Sequence, residues 1–132
     1  MFGKKSKEDK WIKTAHSLYR KKKLPAPYKN LYYYYQNMSW KVSNHLNGHY
    51  DVFLWAKEDG FLDDLTKDLQ WVLPQNLFEN YSTALNNFLA LGEDPEYEEI
   101  EKAYDECDTY VYEHLEEMEN ILRNYIERIK EI

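Results

Sequence analysis

The chain has 132 residues, of which 43% are hydrophobic and 31% charged, and its formal net charge is -7. This composition predicts one globular domain over residues 1–132 rather than a disordered chain. The negative charge disfavours direct binding to nucleic acid, because phosphates would meet a repulsive mean field. A single cysteine allows no internal disulfide, and no stretch has the roughly 18 apolar residues of a membrane span. We therefore expect a cytoplasmic protein without a membrane partner.

Apolar residues recur at helical spacing along most of the chain. The spacing predicts four helices and a short aromatic element, at residues 6–23, 29–47, 50–57, 61–73 and 75–91. From Pro95 onward the period stays regular, which predicts one long amphipathic acidic helix, or a helix pair with a joint near Asp108 and Thr109. No segment alternates as a strand would, so we predict an all-α bundle of five to six helices. Residues 1–28 would form its basic N-terminal helix and linker, and residues 29–132 its core.

Glycine and proline mark several expected helix ends. Gly48 is expected to cap the second helix, and Gly92 to close the helix over 75–91. Asp94 followed by Pro95 predicts a helix start, because an N-cap residue precedes a proline at the first helical position.

Charge is unevenly distributed along the chain. Residues 1–30 hold ten Lys or Arg against two carboxylates, whereas residues 93–132 hold fifteen carboxylates against four basic residues. On a helical wheel most of these carboxylates lie opposite the apolar stripe, with Glu101, Asp108 and Glu119 on the flank between the two sides. If residues 93–132 are fully helical, their fifteen carboxylates amount to about one per 4 Å of helix axis, whereas a DNA strand carries one phosphate per about 3.4 Å. The candidate residues for binding a basic partner are Glu98, Glu99, Glu101, Asp105, Glu106, Glu113, Glu116 and Glu117.

Two other interpretations of these carboxylates stay open. A Glu-rich outer face is common on amphipathic helices, because Glu is a good helix former and is well solvated. Alternatively, the basic residues 1–30 fold back onto residues 93–132 and neutralise them. In the first interpretation the carboxylates are only a solvated helix surface. In the second they form an internal contact with the N-terminal residues.

The sequence contains little that points to catalysis. His45 and His49 have a metal-ligand spacing, with Asp51 as a third candidate, but no catalytic zinc motif is present, and capping or buried hydrogen bonding is the preferred interpretation. Cys107 lies on the apolar stripe and is expected to be a buried, inert thiol. His114 beside that stripe is expected to be an ordinary edge histidine. We expect no metal, no cofactor and no enzymatic activity.

The segment Asn47-Gly48-His49-Tyr50-Asp51-Val52-Phe53 precedes Leu73-Pro74, Asn80-Tyr81 and Ala84-Leu85. Together these resemble a bacterial helical domain family of unknown function that contains a DNA-mimic protein. Its members show an Asn-Gly-Gly-rich turn followed by aromatic residues, and His49 stands here at the second glycine. The resemblance covers roughly residues 30–130. It marks a structural turn with aromatic residues that fill the core behind it, at Asn47, Gly48, Tyr50, Phe53 and Trp55.

This resemblance implies an acidic, all-helical, non-enzymatic protein that can form a homodimer. In the mimic branch, surface carboxylates imitate DNA phosphates and occupy the DNA-binding site of a regulator. The first functional hypothesis is therefore a module that binds a basic protein such as a transcription regulator. The alternative is an immunity or antitoxin-like protein that neutralises a toxin such as a basic nuclease, because an acidic surface suits that task equally well.

Overall fold

The computed structural model describes residues 2–43, 48–92 and 95–130, and every regular element in these ranges is an α-helix, which confirms the all-α prediction. The helices are α1 (Phe2–Arg20), α2 (Ala26–Ser43), α3 (Gly48–Glu58), α4 (Leu62–Val72), α5 (Gln75–Leu91), α6 (Tyr97–Glu113) and α7 (Leu115–Lys130). The described ranges thus hold more helices than the five to six predicted. The aromatic element at 50–57 is a full helix, and the segment after Pro95 contains two. None of the helices described here has both the length and the apolarity needed to cross a bilayer.

α2 lies at the centre of the bundle, against α1, α3, α4, α6 and α7. Its four consecutive tyrosines, Tyr32 to Tyr35, are all buried, although consecutive residues point in different directions around a helix. A helix that is apolar on every side needs neighbours on every side. The tyrosine run therefore marks the helix around which the others pack.

The four hydroxyl groups of this run all have hydrogen-bond partners on surrounding helices. The pairs are Tyr32 with His16 Nδ1 (2.9 Å), Tyr33 with the Val52 carbonyl (2.9 Å), Tyr34 with His49 Nε2 (2.6 Å) and Tyr35 with the Glu119 carboxylate (2.7 Å). A buried hydroxyl without a partner destabilises a fold, so these four pairings favour the buried position of the tyrosine run. They tie α2 to α1, α3 and α7 by polar as well as apolar contacts.

The predicted helix ends hold only in part. Gly92 is the C-cap of α5, as predicted, with a φ of 72°. Gly48, expected to cap α2, is part of α3 (Gly48–Glu58), and residues 44–47 between the two helices lie outside the described residues. Asn47 and Asp94, two further residues assigned to turns or caps, lie outside the described residues.

The segment after Pro95 differs from its prediction at both its start and its joint. Its first helix has Glu96 as N-cap, so Pro95 precedes the helix instead of opening it. The joint lies at His114, where φ is −117° and ψ is 18°. The predicted joint at Asp108 and Thr109 is wrong, because both residues lie within the continuous hydrogen bonding of α6.

α1 ends earlier than predicted, in a tight backbone turn. The N–H of Lys22 donates to the Tyr19 carbonyl at 3.1 Å, and that of Lys23 to the Leu18 carbonyl at 2.8 Å. This pair of bonds is a Schellman motif, and Lys22 holds its left-handed position with a φ of 58°. The last residues assigned to the helix over 6–23 therefore form its cap.

The aromatic residues of α3 divide between core and surface. Phe53 is fully buried and Tyr50 is half-buried, and both rings pack against Phe88 of α5. Trp55, expected to fill the core with them, is instead 40% exposed. It lies two residues after Phe53, and on a helix that separation turns a side chain to the opposite side.

Candidate protein-interaction surface

α6 has a buried side and a charged side. Its buried residues, which face the interior at helical spacing, are Ile100, Tyr104, Cys107 and Val111. With this side α6 packs against α2, α3 and α5. The six carboxylates that the sequence assigns to a partner on this helix are all exposed: Glu98, Glu99, Glu101, Asp105, Glu106 and Glu113. These six residues are called the acidic face below.

At about 100° per residue, the acidic face divides into two rows that flank the outward direction of the helix. One row holds Glu98, Glu101 and Asp105, and the other holds Glu99, Glu106 and Glu113. The exposed side chain of Lys102 lies between them. The helix has 17 residues, so its six exposed carboxylates amount to about one per 4 Å of axis.

The acidic residues of α7 are separated from the acidic face by the break at His114. The ring of His114 stacks on Tyr110 at 4.0 Å, and its Nδ1 lies 2.7 Å from the Tyr110 carbonyl oxygen. Beyond the break, Glu116 is exposed. Glu117 is half-buried and accepts a hydrogen bond from Asn76 Nδ2 at 3.3 Å. Glu116 can therefore extend the acidic face, whereas Glu117 is partly engaged within the protein.

The basic N-terminal helix lies elsewhere on the bundle. α1 packs against α2 and α7, and in the described part of the chain it makes no contact with α6. On that side Trp11 is buried beside Tyr35, and the guanidinium of Arg123 lies 5.9 Å from the Trp11 ring. Among the side chains that the structure describes, no Lys or Arg lies within 4.0 Å of a carboxylate of the acidic face. In this arrangement α1 does not cover that face.

A seventh carboxylate of α6, Asp108, points inward. Its Oδ1 accepts a hydrogen bond from the backbone N–H of His49 at 3.0 Å and lies 2.6 Å from His49 Nδ1. His49 Nε2 lies 2.6 Å from Tyr34 Oη, and both side chains are fully buried. Gly48 permits this approach, because a Cβ there would lie 2.8 Å from Asp108 Cγ. The network joins α2, α3 and α6, and it places a carboxylate at the N-terminus of α3, where the helix dipole favours it.

The carboxylate, imidazole and hydroxyl groups follow the order of a catalytic relay, but the hydroxyl is enclosed. Burial, reinforced by nearby acidic groups, raises the pKa of Tyr34 well above 10, so this hydroxyl stays protonated. Both ring nitrogens of His49 are occupied, which leaves none for a metal ion and agrees with the predicted hydrogen-bonding role. His45 lies outside the described residues. Within those residues, no group of three or more His, Cys, Asp or Glu side chains is arranged around a metal position.

Cys107 is buried on the inner side of α6, as predicted. Burial raises the pKa of its thiol, and the nearby carboxylates of Asp108 and Glu106 raise it further. Because the thiolate is the nucleophilic form, this environment disfavours nucleophilic chemistry at the side chain. Its backbone carbonyl accepts a hydrogen bond from Asn80 Nδ2 at 3.0 Å, which ties α5 to α6.

Sequence reasoning missed the inward roles of Asp108 and Glu119. Their partners, His49 and Tyr35, are 59 and 84 residues away along the chain, and periodicity says nothing about contacts at such separations. The only sequence signal for these inward roles was the position of each residue on the helical wheel. Both carboxylates lie at the border of the apolar stripe, where a side chain can turn inward, but Glu101 at the same border is exposed.

Comparisons of the chain with protein-family models, with curated proteins and with solved structures find no match. The resemblance to the DNA-mimic family stays a prediction.

Proposed function

We propose that this protein is a non-enzymatic interaction module that binds a basic protein through the acidic face of α6. The observation that carries the proposal is the exposure of all six carboxylates, combined with the lack of contact between α1 and α6 in the described part of the chain. Carboxylates this close repel one another, and a basic partner would relieve that repulsion. Association through such a face is fast and weakens as salt rises.

One acidic residue lies where an isolated helix would disfavour it. Glu113 is in the last turn of α6, where the helix dipole is negative, and no basic residue accompanies it there. The same residue completes the row that begins at Glu99. A carboxylate that costs stability but extends a charged row is more simply explained by binding than by folding.

A DNA-binding protein is the partner class that this spacing fits best. Such a protein presents Lys and Arg side chains that contact successive phosphates along a strand. Only when taken together would the two rows offer these side chains carboxylates at a linear density similar to that of the phosphates of one DNA strand. In this role the module would compete with DNA for the partner.

A toxin such as a basic nuclease is the second candidate partner, and two exposed tyrosines favour it. Tyr97 and Tyr112, near the two ends of α6, are 64% and 51% exposed. Exposed aromatic side chains often dominate the energy of specific protein–protein interfaces. A module that only imitates phosphates has no need of them, whereas a toxin inhibitor gains affinity from such anchors.

The test is capture of partners from the native host by immobilised protein, at low and at high salt. The test variant is Glu98→Lys with Glu106→Lys and Glu113→Lys. Its control, Glu58→Lys with Glu79→Lys and Glu127→Lys, makes the same change in charge on three other helices, and circular dichroism checks that both fold. We expect the wild type and the control to capture the same basic protein at low salt and the test variant to lose it. Equal capture by the test variant would refute the proposal.

A second step separates the two partner classes. Duplex DNA is added to the captured complex. A regulator bound through its DNA site should be displaced, and its operator binding should be inhibited by the module. A nuclease partner should instead lose its cleavage activity when the module binds, with Tyr97→Ala and Tyr112→Ala weakening that inhibition.

A further inference from the structure

A cleft of about 580 Å³ opens between α1 and α2, away from the acidic face. Its lining includes the apolar side chain of Ile12 and the buried ring of Tyr32. Lys13, Arg20 and Lys21 also line it, and all three are exposed. No carboxylate that the structure describes lies within 4.0 Å of any of these three cations. The cleft therefore combines an apolar wall with unneutralised positive charge.

The helix dipole explains only part of this charge. Arg20 and Lys21 lie at the C-terminus of α1, where cations complement the negative end of the dipole. Lys13 is about two turns earlier, beyond the reach of that effect, yet it lines the same cleft. The cations recur at helical spacing along one side of α1, over roughly 12 Å. That length matches an extended anionic group better than a single ion.

The cleft also contains further hydrogen-bond donors. His16 Nδ1 lies 2.9 Å from Tyr32 Oη, so one of the two groups donates to the other. If the phenol donates, His16 retains an N–H on Nε2; if the imidazole donates, the phenolic O–H is free. Burial raises the pKa of Tyr32 to about 12, so this hydroxyl keeps its proton at neutral pH. The hydroxyl of Ser17 is a further donor in the lining.

We infer that this cleft binds a small phosphorylated molecule with a flat apolar part, of the nucleotide class. Its phosphates would contact Lys13, Arg20 and Lys21, and its flat part would lie on the side chain of Ile12, above the buried Tyr32 ring. The volume is within the range of about 300–1,000 Å³ that is typical of small-molecule sites. The net charge of the chain disfavours a long polyanion, whereas a small ligand responds mainly to charges within a Debye length. This inference does not depend on the acidic face.

The test is isothermal titration of the full chain with ADP, adenosine and inorganic phosphate. We expect ADP to bind more tightly than either of the others, because only ADP uses both the cations and the apolar wall. Arg20→Gln should weaken ADP binding about tenfold, since a charge-assisted contact is lost. Lys22→Gln is the matched control: it removes a cation next to the cleft but outside its lining, and binding should be unchanged.

Three outcomes would overturn the inference. The first is no measurable binding of ADP to the wild type at millimolar concentration. The second is equal weakening by Arg20→Gln and Lys22→Gln, which would indicate a diffuse charge effect. The third is equal affinity for ADP and for inorganic phosphate. An acidic peptide that binds while ADP does not would instead mark the cleft as a protein-docking site, and it would refute the nucleotide assignment.

Discussion

At Gly48 the absence of a side chain decides how closely two helices approach. The start of α3 lies against the carboxylate of Asp108, and this carboxylate is held in place by two contacts with His49. The position requires glycine for space, since it is part of a helix. The turn motif noticed in the sequence is therefore a packing contact between α3 and α6.

We expect Gly48→Ala to lower the free energy of unfolding by about 1–3 kcal/mol, the usual cost of overpacking a rigid site. Urea denaturation measures the effect. The control is the same substitution in an Asp108→Ala background, where the obstructing carboxylate is gone and the added methyl group should cost much less. Strict additivity of the two changes would contradict this account.

Tyr34 and Tyr104 allow a matched comparison of two buried hydroxyls. Tyr34 Oη is paired with His49, whereas Tyr104 Oη has no hydrogen-bond partner among the described residues. Tyr34→Phe should destabilise the protein by about 1–3 kcal/mol, because it leaves a buried imidazole nitrogen unpaired. Tyr104→Phe should be neutral or stabilising, because it removes a hydroxyl that pays a desolvation cost without a bond. Thermal unfolding of both variants checks the order, and a larger loss for Tyr104→Phe would refute it.

Among the elements, α1 shows how a helix end is determined by the backbone. Lys22 occupies the left-handed position of the cap, which glycine usually fills. We expect Lys22→Gly to raise the free energy of unfolding by about 0.5–1 kcal/mol, since glycine adopts this conformation without steric cost. Lys23→Gly, one residue later, has no positive φ to relieve and should not stabilise. Chemical denaturation distinguishes the two, and equal effects would contradict the proposed cap.

The sequence predicts elements well where local chemistry decides them. α5 was predicted at 75–91 and spans Gln75–Leu91, since Pro74 precedes it and Gly92 ends it. The break at His114 was missed, because the apolar period continues through it with no Gly or Pro. The central position of α2 was also missed, although four adjacent tyrosines implied a helix buried on every side.

For the candidate site, the helical wheel predicted exposure correctly for the carboxylates of α6 that oppose the apolar stripe, whereas Glu117 of α7, placed on the same side, is half-buried. Glu98, Glu106 and Glu113 are examples, and all three are exposed. It could not predict where the chain brings distant residues together, as with Asp108 and His49. The basic cleft was likewise hidden, because it needs Tyr32 of α2 beside the cations of α1.

For the whole molecule, the tyrosine-rich core implies a characteristic response to alkaline pH. Burial raises the pKa of Tyr32 and Tyr81 to about 12 and raises those of Tyr33, Tyr34 and Tyr35 as well. In the unfolded chain tyrosine ionises near pH 10. Above that value the unfolded state loses protons that the folded state retains, so folding is disfavoured. The stability is fully present below pH 10 and is lost as the pH rises through about 12.

We expect the free energy of unfolding to be flat up to about pH 9 and then to fall by roughly 1.4 kcal/mol per pH unit for each buried tyrosine. Urea titrations between pH 8 and about pH 12 measure the slope. Tyr104→Phe serves as the control, because it removes one buried phenol of raised pKa without breaking a hydrogen bond and should make the slope shallower. Tyrosinate absorbance that rises for all tyrosines near pH 10, without loss of helix signal, would contradict the prediction.

The central position of α2 has a consequence for folding during synthesis on the ribosome. During synthesis α2 leaves the ribosome long before α6 and α7, which pack against it in the folded protein. The hydrogen bond from Tyr35 to Glu119 cannot form until Glu119, 84 residues later, has been synthesised. Until then the nascent chain carries four adjacent aromatic side chains that cannot all be covered, a condition that favours aggregation or capture by chaperones. We expect ribosome-bound chains halted before α7 to be sensitive to protease along α2, and released full-length chains to be protected there.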